Sequence, residues 1–126
     1  MGEKTHADTS WLVALFDSED PHHNRALKEL DELKSPPSVS AIALAELLVN
    51  FEKSDLVDVQ ATLSQIQRIF TRVIDLDVKI ATLAAEIRSQ NRITLGESVI
   101  VASAKHENAA LLTFDKSMKA VHERIR

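Results

Sequence analysis

The sequence predicts an α/β domain in which a small parallel sheet lies between helical layers. Two patterns point there: short strand-like runs alternate with segments of helical period, and the connections between them are short. The third observation is size. At 126 residues, 44% of them hydrophobic, the chain can bury one continuous core, and residues 1–126 are read as one domain without repeats, low-complexity tracts or a linker.

Residues 10–16 are an apolar run following Asp8-Thr9, a sequence suited to an N-cap, and are read as a short helix. Pro21 suits the first turn of a helix over residues 22–34, with Ala26, Leu27, Leu30 and Leu33 on one face, and Pro36-Pro37 ends it. Ser38-Val39-Ser40 is a small strand, and Ser40 is placed to cap a helix over residues 41–53. Helical period resumes over residues 55–69, and residues 72–76 read as a strand. Asp77 caps an amphipathic helix to about Asn91 whose buried stripe is Ile80, Leu83, Ala84 and Ile87. A helix over residues 95–106, a strand over 109–114 and a helix over 116–125 complete the chain.

Composition excludes several chemistries. With Gly2 and Gly96 the only glycines, neither a phosphate-cradling P-loop nor a dinucleotide-binding turn can be built. No cysteine means no thiol catalysis, disulfide or thiolate metal site. His6, His22, His23, His106 and His122 lack zinc-ligand spacing and are expected at the surface. A net charge of -4 argues against a broad basic nucleic-acid-binding face, yet leaves room for a nuclease whose active site is itself acidic. The apolar stretches are too short to cross a bilayer, and the first residues lack a secretory core, so the expected compartment is the cytoplasm.

Four acids stand in or beside apolar sequence: Asp8 before Trp11-Leu12-Val13, Glu46 within residues 42–49, Glu97 before Val99-Ile100-Val101, and Asp115 after Leu111-Leu112-Thr113-Phe114. Buried carboxylates are costly unless paired, and no basic residue lies in those segments, so a shared divalent cation is the expected partner. Three of them also suit local roles. Asp8 and Asp115 can cap helices, and Thr94-Leu95-Gly96-Glu97 has the form of a capping box. Glu46 sits mid-helix without such a role and is expected to be buried and partnered. An all-oxygen site favours magnesium or manganese, which suits hydrolysis of a phosphodiester. Asp8 and Asp115, each at a strand end, are expected in the crevice beyond the carboxyl ends of the strands.

Asp8-Thr9-Ser10-Trp11-Leu12-Val13-Ala14-Leu15, Ser40 to Glu46, Thr94-Leu95-Gly96-Glu97-Ser98-Val99-Ile100 and Thr113-Phe114-Asp115 resemble, in order and spacing, the signature segments of PIN-domain ribonucleases, and most of all the VapC-type toxins of toxin-antitoxin pairs. The resemblance implies a three-layer α/β/α fold and a Mg2+- or Mn2+-dependent endoribonuclease acting on single-stranded RNA. By the same resemblance Asp8, Glu46, Glu97 and Asp115 are catalytic and hold the metal, while Thr9, Ser10 and Thr113 position water or substrate. It further implies a homodimer and an antitoxin partner.

Two positions depart from the family pattern. Glu97 replaces the usual aspartate and is one methylene longer, and Thr5-His6-Ala7 is a poor central strand where branched apolar residues are usual. Glu97 also supports an alternative, a PIN-like scaffold that binds without cutting. A phosphoacceptor receiver domain would have an acidic magnesium pocket too, but the acidic pair expected after its first strand is missing.

Overall fold

The computed structural model describes residues 3–54 and 58–126. Strands β1 (Thr5–Ala7), β2 (Ser38–Ser40), β3 (Val73–Ile74) and β4 (Ala110–Leu112) form one sheet in the order β3-β2-β1-β4, with every pairing parallel. Parallel neighbours need long crossovers, and helices supply them. They are α1 (Thr9–Phe16), α2 (His23–Glu32), α3 (Ala41–Glu52), α4 (Val59–Ile69), α5 (Val78–Gln90), α6 (Leu95–His106) and α7 (Lys116–Ile125). The result is the expected three-layer α/β/α arrangement. The predicted start of the fourth helix at residues 55–57 lies outside the described residues.

Strand order fixes where a site can form. From central β1 the chain steps outward through β2 to β3, then returns across the sheet to place β4 on the other side of β1. The switch point therefore lies between the carboxyl ends of β1 and β4, where open parallel sheets bind ligands. Asp8 follows β1 and Asp115 precedes α7 just beyond β4. The Asp8 backbone N–H donates to the Leu112 carbonyl at 3.0 Å, drawing the two strand ends together.

Trp11, Leu12, Val39, Leu47, Phe70, Ile80, Ile100 and Val101 are fully buried and form much of the core. Helix α6 is its central column, buried from Ser98 through Ala104 and packed against β1, β2 and β4 as well as α3, α5 and α7. The predicted stripe of α5 is buried at Ile80, Ala84 and Ile87. Its cap is also as expected, the Ile80 N–H donating to Asp77 Oδ1 at 2.9 Å. Asp77→Ala should lower stability by about 1 kcal/mol, read as a shift in the urea midpoint. An unchanged midpoint would show that water replaces the cap without loss.

The weak-looking first strand is central after all, and the reason lies on its neighbour. His6 and Ser38 are register partners, and the two-residue period of a strand puts Ser40 on the same face as Ser38. His6 Nδ1 lies 2.7 Å from Ser38 Oγ, and Nε2 lies 2.6 Å from Ser40 Oγ. A neutral imidazole has one donor and one acceptor nitrogen, so two hydroxyls satisfy it completely. Burial, followed by the charges of Arg72 and His122, lowers the His6 pKa to about 4.

Several expectations are corrected here. His6 and His122 are buried rather than at the surface. His122 Nε2 donates to the Ala109 carbonyl at 3.0 Å, and burial lowers its pKa. Ser40 makes no cap bond for α3, its hydroxyl being engaged by His6. Pro21 precedes the N-cap residue His22 instead of opening α2, and Leu27 on that helix is exposed. The strands over 72–76 and 109–114 are shorter than their sequence patterns.

Candidate active site

Asp8, Glu46, Glu97 and Asp115 line one cleft of about 380 Å³ at the switch point. They come from the β1–α1 junction, α3, the first turn of α6 and the β4–α7 junction. Thr9 and Ser10 line it too, with Thr94, Ile100 and Met118, which sequence reasoning did not single out for this place. Thr94 had a visible signal as a capping residue. Ile100 and Met118 lie one turn beyond Glu97 and Asp115 on the same helices, a spacing that could have flagged them.

Burial separates the four acids. Asp8 is 1% exposed, Glu97 and Asp115 are half-buried, and Glu46 is exposed. The expectation of a buried Glu46 is therefore wrong. On α3 the buried positions are Ala43 and Leu47, one turn apart, while Ala45, Glu46, Val49 and Asn50 look outward. Apolar neighbours in sequence do not decide which side of a helix a residue takes.

Asp8 is held by a hydrogen-bond relay. Trp11 N–H and Ser10 Oγ donate to Oδ1 at 2.9 and 2.8 Å, and Thr113 Oγ donates to Oδ2 at 2.5 Å. The same two hydroxyls accept from the loop before α7: Ser10 Oγ from Phe114 N–H at 3.2 Å, and Thr113 Oγ from Asp115 N–H at 2.9 Å. Because a backbone N–H can only donate, each hydroxyl hydrogen is left to point at the carboxylate. Burial raises the Asp8 pKa, the donors from Thr113, Trp11 and Ser10 lower it and the charge of Asp115 raises it, and the net shift is upward.

Asp115 Oδ1 accepts from the N–H groups of Ser117 and Met118 at 2.9 and 3.1 Å, capping α7. Glu97 Oε1 accepts from Thr94 N–H at 2.8 Å, while Thr94 Oγ accepts from Glu97 N–H at 3.1 Å, completing the capping box. Glu46 Oε1 accepts from Thr9 Oγ at 2.7 Å. Its carboxylate also lies beside the first turn of α6, since a β-carbon at Gly96 would stand 3.7 Å from Glu46 Oε2. The positive end of a helix favours a carboxylate there.

Among the described residues no three acidic or histidine side chains stand close enough to hold a metal ion in their present positions. The donor set nevertheless suits a hard divalent cation, being carboxylate and hydroxyl oxygen throughout. The recorded bonds of Glu46, Glu97 and Asp115 fall on one oxygen of each carboxylate. Asp8, whose burial disfavours its charge, is the group with most to gain from a cation.

The fold and cleft define a small α/β/α domain with an acidic site at its switch point. The chain belongs to the PIN domain family, which matches residues 7–123. No curated protein matches it. Among solved structures it is similar to a toxin-antitoxin complex from Klebsiella pneumoniae, at 23% identity over 90% of this chain and 89% of that one, with a TM-score of 0.77. It is also similar to the sarcin-ricin loop cleaving toxin VapC20 of Mycobacterium tuberculosis, at 16% identity over 93% and 94%, TM-score 0.79. A third is VapBC2 from Rickettsia felis bound to a fragment of its promoter DNA, at 24% identity over 92% and 91%, TM-score 0.73.

Proposed function

We propose that this protein is a metal-dependent endoribonuclease that hydrolyses single-stranded RNA, and that it is the toxin of a toxin-antitoxin pair. The observation that carries the reading is the cleft itself: a PIN-family chain brings four carboxylates from distant parts of the sequence to the switch point of its sheet. Asp8, Glu46, Glu97 and Asp115 would hold Mg2+ or Mn2+, directly or through water. When bound, the ion supplies a water of lowered pKa and stabilises charge on the phosphoryl oxygens. Asp8 is kept in place by its three donors, and Thr9 steadies Glu46. Ser10 and Thr113 tie Asp8 to the segment carrying Asp115. The attacking group is water, and no covalent enzyme intermediate forms.

The test is cleavage of single-stranded RNA with Mg2+, with Mn2+ and with chelator. Chelator should abolish cutting, and Glu46→Gln should slow it roughly 100-fold or more. Full activity in chelator would end the metal-dependent reading.

A second reading, a PIN scaffold that binds without cutting, draws on one observation: Glu97 already spends an oxygen on the Thr94 N–H. Glu97→Gln separates its two roles, because glutamine also closes a capping box while carrying no charge. The melting temperature should stay within a few degrees while cleavage falls. Unchanged cleavage would make Glu97 a cap alone, and calorimetry showing no uptake of Mg2+ or Mn2+ would favour the binding module.

The same proposal includes partners. The Klebsiella pneumoniae and Rickettsia felis relatives support an antitoxin. A concavity of about 520 Å³ between α1 and α3, lined in part by Val13, Phe16, Leu47 and Phe51, supports contact with an antitoxin or with a second copy in a homodimer. Among the described residues no helix is long and apolar enough to cross a membrane. We place the protein's work in the cytoplasm, with its RNA.

A further inference from the structure

Asp115 walls a second concavity, of about 250 Å³, whose other lining includes His22, Arg25, Phe114, Lys116 and Lys119. Its character is opposite to that of the acidic cleft. Among the described residues no cation lines the cleft, whereas three line its neighbour. A polyanion drawn into an acidic site needs such a holding place alongside.

The His22 ring stacks on Phe114 at 4.4 Å between centroids and 10° between planes, and the Arg25 guanidinium stands 5.4 Å from the same ring centroid. His22 is exposed, so the stack ends in an imidazole open to solvent. Arg25 is shared with Glu29 at 3.3 Å, but Lys116 and Lys119 form no ion pair among the described residues. Both lysines occupy the first turns of α7, behind its N-cap Asp115. That is the positive end of the helix dipole, where lysine is unfavourable. Local rules broken without structural gain mark functional positions.

We infer that this concavity is a nucleotide subsite, which takes the base next to the scissile bond on the His22–Phe114 stack and the adjoining phosphate on Lys116, Lys119 and Arg25. The inference rests on the nuclease reading for its orientation. Its ligand is single-stranded RNA, since an unpaired base exposes the face that stacking requires. Such a subsite tolerates many bases, because it grips faces and phosphate rather than base edges.

The test is fluorescence anisotropy of a labelled single-stranded oligoribonucleotide in chelator, so that binding is read without cutting. Replacing both lysines, Lys116→Ala with Lys119→Ala, should weaken binding about tenfold or more and flatten the dependence of log K on log salt by about 1.4. His22→Ala should weaken it at least about fivefold with the salt slope unchanged, and His22→Phe should restore it. Arg68→Ala, which removes a cation lining neither concavity, is the charge control. Wild-type affinity in the lysine pair and in His22→Ala overturns the inference. So does a loss confined to the lysines, which would show phosphate contact with no base on the His22–Phe114 stack. If RNA binds with the expected sensitivities but is not cut in Mg2+, the nuclease reading fails and the subsite stands. If it is cut while the variants bind normally, the subsite fails and the nuclease reading stands.

Discussion

Asp8→Asn should lose RNA cleavage by roughly 100-fold or more while remaining folded. Asparagine keeps an oxygen for the Trp11 and Ser10 donors, which meet at Oδ1. The second atom becomes an NH2 facing the Thr113 hydroxyl, whose hydrogen points at it because its oxygen accepts from Asp115 N–H. Two donors then meet, at a cost of about 1–3 kcal/mol. Against this stands a gain. Burial pushes the Asp8 carboxyl above its ordinary pKa, so its ionisation opposes folding and a neutral side chain avoids that penalty. The two effects have opposite signs, and the variant is expected to fold without the charge. Single-turnover cleavage and a thermal melt on one preparation read both. Wild-type rates in the variant would remove Asp8 from the mechanism.

Acidification should destabilise the protein through His6. Its pKa is near 6.5 when unfolded and about 4 in the fold. Between those values the unfolded chain binds a proton that the folded chain refuses, so stability is full above pH 6.5 and falls as pH drops toward 4. The loss attributable to this residue is about 3 kcal/mol. His122, also lowered, acts with the same sign, and the raised pKa of Asp8 opposes both toward the acid end. His6→Val isolates the histidine. It should be less stable at pH 7, because Ser38 and Ser40 lose their partner, but its stability should vary less from pH 6.5 to 4.5. A pH slope equal to that of the wild type in urea unfolding would falsify this assignment.

What the sequence disclosed was mostly local. The caps at Asp8, Asp77, Asp115 and the Thr94-Glu97 box reach two or three residues along the chain, so composition and spacing suffice to see them. The alternation of strands and helices gave the sheet, and the switch-point rule put Asp8 and Asp115 together. Burial of His6 was hidden because its partners lie 32 and 34 residues away on another strand. Ser40 illustrates the same competition: a good capping residue is taken by a distant ring. Glu46 is a different case: its neighbours one turn away straddle the edge of the buried face of α3, Ala43 lying inside while Val49 and Asn50 are exposed, so the helical period alone does not assign its side.

The relay through Ser10 and Thr113 has a consequence for biosynthesis. One oxygen of Asp8 is satisfied by a hydroxyl 105 positions later in the chain. Central β1 waits equally long for β4. Until that segment emerges, the growing polypeptide has neither its central strand paired on both sides nor the second oxygen of Asp8 held in place. The acidic cleft is therefore assembled on a nascent chain only once the segment carrying Thr113 and Asp115 has been made.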